Sequence, residues 1–351
     1  MFFLLFQVYF IYRCSASIPT LLDEPYRHKD LHTYQPHFVR IDAKYTIQNL
    51  SDWRKLFHVV SERPVLIFLE TFCALPDAET ISSLRQSVTI FGPIYQWHHL
   101  NFGTFSELEL TSLRDTFEAH LSLKLSQCDK TRTDLQSLLD SPAVSEWFAQ
   151  QHLSIFHSKL RPYPIGFGYN NLRAKDSYDQ HITQYKEMML QVLEQNRGLA
   201  RPRLLIAAFN KHTELYRGSL ANDPRALAIE AIRSNASLGV EKAHVFRDDY
   251  EWLTALASTK FIASPQGWGP DCHRHYEAIA MGCVPIIVED YTVSQLLENM
   301  PVLILHSWNE LAVGGEEFLE REYRKILRNT NYKLDRLFTE YWQRRLLNKP
   351  V

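Results

Sequence analysis

The densest run of chemistry-bearing residues lies between Ser264 and Ile287: SPQGWGPDCHRHYEAIAMGCVPII. Pro265, Gly267, Gly269 and Pro270 break any regular element at its start. Asp271, Cys272, His273, Arg274, His275 and Glu277 follow immediately. Asp271 is the natural N-cap of a helix, with Cys272, His273 and Arg274 in the first turn. Free N–H groups and the dipole at such an end attract an anion. Ser264, Gly267 and Gly269 form a turn whose backbone a phosphate can approach, and Arg274 adds a guanidinium fork suited to phosphate. His273 and Glu277 are four apart, and Arg274 and Glu277 three apart, so they occupy neighbouring parts of one helix face. A carboxylate one turn behind a phosphate site can bind ribose hydroxyls. The run reads as a site for a nucleoside diphosphate.

Plainer readings stand beside this one. Asp271 can be a cap and nothing more, and Arg274–Glu277 a solvated ion pair. His275 and Tyr276 are packing or surface residues, and Gly282 is the helix C-cap. Zinc is not expected: Cys272, His273 and His275 sit at adjacent helical positions that point apart, and no second cluster completes four ligands.

The elements around this run must place it at a sheet edge. From Arg203 onward short apolar runs alternate with helical patterns. Leu204–Phe209, Val245-Phe246, Phe261–Ala263, Val284–Val288 and Val302–Leu305 read as strands. Asp223-Pro224 caps a helix reaching about Ser234; Tyr250–Ser258 and Thr292–Met300 are further helices. Asp248-Asp249 is a helix cap. This alternation implies a parallel sheet covered on both faces. The anion turn then follows a strand at the sheet's carboxyl edge, where open α/β folds bind ligands. The last segment, Glu316–Leu347, is helical and amphipathic.

The first half is less regular. Pro64–Leu69, ending at Glu70, and Val88–Phe91 read as strands. Helical patterns fill much of 105–150, and Ser141-Pro142 opens a helix over Val144–Gln150. The segment Pro162–Tyr169 forbids a regular element and marks a domain boundary. A helix after it carries Ile182, Tyr185, Met189 and Val192 on one face.

The chain has 351 residues, enough for two domains, and a formal net charge of -2, which argues against a broad nucleic-acid footprint. Phe2–Tyr12 is an uncharged apolar run, too short to span a bilayer and of signal-peptide length, followed by small residues at Cys14–Ser17. Four cysteines remain beyond Cys14: Cys73, Cys128, Cys272 and Cys283. The last two read as inert buried thiols or as a pair. Asn49-Leu-Ser51 and Asn235-Ala-Ser237 are glycosylation sequons. Together these favour the lumen of the secretory pathway, Golgi or ER. A short N-terminal membrane anchor is the alternative to a cleaved signal.

The run Phe261–Ile287 resembles the nucleotide-sugar motif of exostosin-like glycosyltransferases: a strand, Ser-Pro-x-Gly-x-Gly, a short polar spacer, Arg, Glu-Ala, then Gly-Cys-x-Pro before the next strand. Gln266 stands where many members carry Arg. More loosely the likeness extends over 200–305, with Arg217 and Arg225 as the basic residues after a strand. The resemblance implies a GT-B-like α/β fold. Two Rossmann-like domains with parallel sheets face a cleft, and a C-terminal helix crosses back. On that reading 1–17 is a signal peptide or short anchor and 18–60 a stem or N-terminal wrap. Residues 61–165 form an acceptor domain, 166–315 a nucleotide-sugar-binding domain, and 316–351 C-terminal helices. It implies transfer of a sugar, from a UDP-sugar or similar nucleotide-sugar donor, to a glycan or glycoprotein acceptor. The reaction would be inverting and need neither metal nor other cofactor. Ser264, Gly267, Gly269, Asp271, His273, Arg274, Glu277, Arg217 and Arg225 would serve the donor. Glu70, His98 and His99 are the visible candidates for the base. A non-catalytic carbohydrate-binding or partner-stabilising protein on the same fold is the alternative.

Overall fold

The computed structural model describes residues 38–41, 65–69, 78, 82, 88–91, 132–149, 157–167, 178–209, 223–240, 246–267 and 269–346. The chain divides after Pro164, inside the Pro- and Gly-rich segment: Tyr26–Pro164 with Trp342–Val351 make one compact unit, and Ile165–Tyr341 belong to the other.

The first unit is built on a parallel sheet of order β1-β2-β3-β4-β5: Phe38–Ile41, Val65–Leu69, Val88–Phe91, Val144–Ala149 and Leu160–Pro162. One helix described here, α1 (Arg132–Asp140), precedes β4. The expected helix over Val144–Gln150 is instead this inner strand. Ser141–Ala143 turn the chain, with Val144 N–H bonded to Ser141 O at 3.1 Å. The sequence Val-Ser-Glu-Trp-Phe-Ala carries strand-favouring residues, and Trp147 and Phe148 are buried between β3 and β5. Burying each such side chain contributes about 1.5–3 kcal/mol, whereas helix propensities differ by under about 1 kcal/mol per residue and Val, Ser, Trp and Phe rank low among them. Glu146 on β4 accepts from Arg161 at 3.0 Å and lies 3.5 Å from Arg345. Trp342 stands edge-on to Tyr163 with centroids 5.3 Å apart. Trp342 and Arg345 therefore pack against this unit.

The second unit has a parallel sheet of order β6-β7-β8-β9: Arg203–Ala207, Thr259–Ala263, Val284–Val288 and Leu303–Leu305. Its helices are α2 (Tyr178–Gln195), α3 (Pro224–Ser234), α4 (Asp249–Ala257), α5 (His273–Ala280), α6 (Tyr291–Leu296), α7 (Asn309–Arg328) and α8 (Thr339–Leu346), whose last part belongs with the first sheet. Asp223 and Asp248 cap α3 and α4 with their side chains, as their positions before the helices suggest. Gly282 follows α5 at φ 71. Phe246 forms no strand, and Val245 lies outside the described residues. A short helical stretch from Asn309 precedes the expected C-terminal helix, which begins at Glu316 after a break at Gly315. Leu319, Tyr323 and Ile326 of α7 join the core with Phe261, Val284 and Ile286.

Gly315 kinks α7 at φ 54, ψ -148, a region open essentially to glycine alone. The kink is held by the sequon at 235–237. Asn235 Nδ2 donates to Ala312 O at 2.9 Å, and Glu316 N–H donates to Ser237 Oγ at 3.0 Å. The Asn235 carboxamide expected to carry a glycan is thus already engaged by the fold. A Cβ on Gly315 would lie 2.5 Å from Ser237 Oγ. Gly315→Ala should therefore cost roughly 1–3 kcal/mol from backbone strain alone, with the clash in addition. Gly239 has a positive φ too, but open space around it. Gly239→Ala should lower the melting temperature less than Gly315→Ala; equal losses would show that the contact with 235–237 contributes nothing.

Candidate functional site: an anion turn with two unpaired arginines

The run from Ser264 follows β7 at the carboxyl edge of the second sheet. Ser264 N–H donates to Ile286 O at 2.9 Å, which continues the ladder into the loop. Gly267 N–H donates to Gly269 O at 3.0 Å and closes the turn. Two arginines from different elements lie against this turn. Arg274, in the first turn of α5, donates from Nε to Ser264 Oγ at 3.3 Å and from Nη2 to Pro265 O at 2.8 Å. Its guanidinium lies 5.5 Å from the ring centre of Phe209, just past β6. Arg225, in the first turn of α3, donates from Nε to Gln266 O at 3.4 Å. A Cβ on Gly267 would stand 3.1 Å from Arg225 Nη2, so a glycine here lets the guanidinium rest on the backbone.

Neither guanidinium forms an ion pair among the described residues. Burial pushes Arg225 below its ordinary pKa, and the charge of Arg274 pushes it further. The two cations therefore repel each other. Of the five N–H donors on a guanidinium, Arg225 commits Nε alone and Arg274 commits Nε and Nη2. Two half-buried cations with spare donors and no carboxylate in salt-bridge contact make a binding site for an anion with several acceptor oxygens, although the charge of nearby Asp223 offsets part of the repulsion on Arg225.

Asp271 does something other than cap. Cys272 holds the N-cap position of α5, and its N–H faces His275 Nδ1 at 3.3 Å. Asp271 is 3% exposed and accepts from Ile165 N–H at 2.9 Å and from Tyr276 Oη at 2.9 and 2.8 Å. Tyr276, expected as a packing or surface residue, reaches back to it from within α5. Burial raises the Tyr276 hydroxyl well above its ordinary pKa, so it remains a donor at neutral pH. His273 is half-buried, with Nδ1 2.8 Å from Gly166 O, so that nitrogen carries a proton.

Glu277 stands behind the turn rather than in it. Its exposure is 0%, and both oxygens are taken: Oε1 by Tyr185 Oη at 3.0 Å, Oε2 by Trp252 Nε1 at 3.0 Å. The carboxylate ties α5 to α2 and α4. It forms no surface ion pair with Arg274 and offers a ribose no accessible oxygen. Sequence reasoning missed this because its partners lie 92 and 25 residues away. Arg201 was missed as well. Its guanidinium donates to Leu256 O and Thr259 O, both at 2.9 Å, and to Met281 O at 2.7 Å, binding the ends of α4 and α5 to the start of β7. Nothing in the local pattern before β6 marks it.

Cys272 and Cys283 are free and buried, and burial pushes the Cys283 thiol up to about 12. Among the described residues no group of three or more His, Cys, Asp or Glu side chains is placed to hold a metal ion. Glu70, His98, His99 and Arg217 lie outside the described residues.

No family model matches the chain, and no curated protein does. Among solved structures, HepE from Anabaena in complex with UDP-glucose is similar at 13% identity and a TM-score of 0.38, covering 86% of this chain and 83% of that one. A UDP-forming α,α-trehalose-phosphate synthase from Burkholderia xenovorans is similar at 12% identity and a TM-score of 0.36, covering 97% and 85%. At these scores the likeness is loose; the α/β class rests on the two parallel sheets themselves.

Proposed function

We propose that the chain is a glycosyltransferase that uses a nucleotide-sugar donor, a UDP-sugar by the resemblance of its motif, and a glycan or glycoprotein acceptor. The observation that carries this is the pair of unpaired guanidiniums, Arg225 and Arg274, on a glycine turn at the carboxyl edge of a parallel sheet. The turn lies within the motif Ser-Pro-x-Gly-x-Gly…Arg…Glu-Ala. In this reading Arg225 and Arg274 hold the donor's diphosphate, with His273 and the backbone of Ser264, Gly267 and Gly269 beside them. Arg217 belongs to the same proposal by its position in the motif.

The reaction is displacement at the anomeric carbon. The acceptor oxygen forms a bond to that carbon, the bond from carbon to phosphate oxygen breaks with its electron pair, and the nucleoside diphosphate departs. A base takes the acceptor's hydroxyl proton; Glu70, His98 and His99 are proposed for it. Charge growing on the leaving diphosphate meets the two guanidiniums, which are already in place. That supply of positive charge makes a divalent metal unnecessary. The purified protein, offered a panel of UDP-sugars with acceptor glycans, should release UDP and retain its rate in excess chelator. Complete loss restored by manganese would overturn metal independence. Binding of UDP-sugars with no turnover on any acceptor would favour a carbohydrate-binding protein instead.

A further inference from the structure

The two guanidiniums suit phosphate, but they only donate and so give a sugar hydroxyl no acceptor. Glu277, expected to meet a ribose, is sealed behind the turn by Tyr185 and Trp252. The next two strands carry acceptors that solvent reaches, on the same carboxyl edge of the parallel sheet. Glu289 directly follows β8 and His306 directly follows β9. His306 Nδ1 lies 3.0 Å from Glu289 Oε2, and the two side chains are 88% and 59% exposed. The backbone fixes both residues. Glu289 N–H donates to Leu305 O at 2.8 Å, and the N–H groups of His306 and Ser307 donate to Glu310 Oε1 at 2.6 and 3.1 Å. The anion turn lies close along this edge. Ser264, where the turn starts, bonds to Ile286 O, three residues before Glu289, a stretch of about 10 Å in extended chain. Burial raises the carboxyl of Asp290, the next residue, and the charge of Asp271 at the start of α5 adds to the rise, which places the two within electrostatic reach.

Glu289 Oε1 and His306 Nε2 carry no hydrogen bond among the described residues. The carboxylate oxygen can only accept, so it calls for an O–H or N–H. A hydroxyl both donates and accepts, so it satisfies the imidazole nitrogen in either protonation state. A phosphate does not suit this place, because the carboxylate repels it. A metal ion does not suit it either, since among the described residues no third His, Cys, Asp or Glu completes a ligand set. Two adjacent acceptors match two adjacent hydroxyls. We propose that Glu289 and His306 form a subsite for vicinal sugar hydroxyls, which holds the sugar of a ligand whose phosphates lie on Arg225 and Arg274. The inference rests on the proposed nucleotide-sugar site and adds the residues that read the ligand's neutral part. The hydroxyls can belong to the ribose or to the transferred sugar, which the same chemistry recognises.

The test uses the full chain and three probes: pyrophosphate, UDP and UDP-glucose. Glu289→Ala and His306→Ala each remove one acceptor from an exposed position, so the melting temperature should hold in both. Should one of them fold poorly, the other carries the test. Pyrophosphate affinity should not weaken in either, because the arginines are untouched. Affinity for a sugar-bearing probe should fall roughly two- to tenfold in each, the size of one lost hydrogen bond. Glu289→Gln should keep most of the wild-type affinity, since its carboxamide oxygen still accepts. A fall for both UDP and UDP-glucose assigns the contact to the ribose; a fall for UDP-glucose alone assigns it to the transferred sugar. Equal weakening of pyrophosphate, or no weakening of any probe, would overturn the inference and leave Glu289 and His306 a surface ion pair. A wild-type chain that binds pyrophosphate as tightly as both UDP probes would instead overturn the nucleotide-sugar reading itself.

Discussion

Arg225→Ala and Arg274→Ala together should reduce UDP affinity by roughly a hundredfold to ten-thousandfold while lowering the melting temperature only modestly. Each guanidinium can make charge-assisted bonds to a diphosphate worth about 1.5–3 kcal/mol. That corresponds to about ten- to a hundredfold for each single variant. The two effects need not add, since both side chains lie against one turn. The cost to stability should be modest: the variants lose the hydrogen bonds to Ser264 Oγ, Pro265 O and Gln266 O, but they also relieve the repulsion by which Arg274, after burial, lowers the pKa of Arg225. Arg274→Lys should restore binding only in part, since an ammonium cannot form the fork. Rising salt should weaken wild-type binding and affect the double variant much less. Calorimetric titration with UDP, set beside a melting curve, decides the matter. Wild-type affinity in the folded double variant would reduce the quoted run to a capped helix.

What the sequence revealed of this site follows from the range of its interactions. The strand ending at Ala263, the glycine turn and the following helix are local, and each is written in consecutive residues. Arg225 was reached through the motif, 41 residues from the backbone oxygen it touches. No local pattern could show that neither it nor Arg274 closes a salt bridge with the carboxylates near it in sequence. Asp271 and Glu277 were legible as residues that mattered and misread as to why. Both are bound by aromatic donors, Tyr276, Tyr185 and Trp252, and an aromatic residue's polar tip leaves no periodic signature. In the first unit, Ser141-Pro142 resembles a helix start, and only the neighbouring strands turn Val144–Ala149 into a strand. The boundary segment was readable because proline and glycine act through their own backbone.

Glu277 yields a second large effect, on stability. Glu277→Ala should strip the acceptor from two buried donors, the Tyr185 hydroxyl and the Trp252 indole N–H. Each stranded donor costs about 1–3 kcal/mol. Together they can remove much of the roughly 5–15 kcal/mol that holds a typical domain folded. Glu277→Gln should be far milder: its carbonyl can accept from the indole, and its amide can donate to the tyrosine oxygen. The two forms also differ in their response to pH. Burial raises the Glu277 carboxyl above its ordinary 4.5, while the charges of His273 and Arg274 and the Trp252 and Tyr185 hydrogen bonds offset part of that rise. A raised folded value means the folded chain holds this proton more tightly than the unfolded one. The stability that the proton confers is fully present below the ordinary value and is lost as pH rises through the folded value. Glutamine does not titrate. The unfolding free energy of Glu277→Gln minus that of wild type should therefore increase as pH rises above about 4.5, then level off beyond the folded value. Denaturant melts of both chains across that range measure it. A difference that stays flat, or that shrinks with rising pH, would mean that this carboxylate is solvated in the native chain and that its two aromatic donors do not seal it.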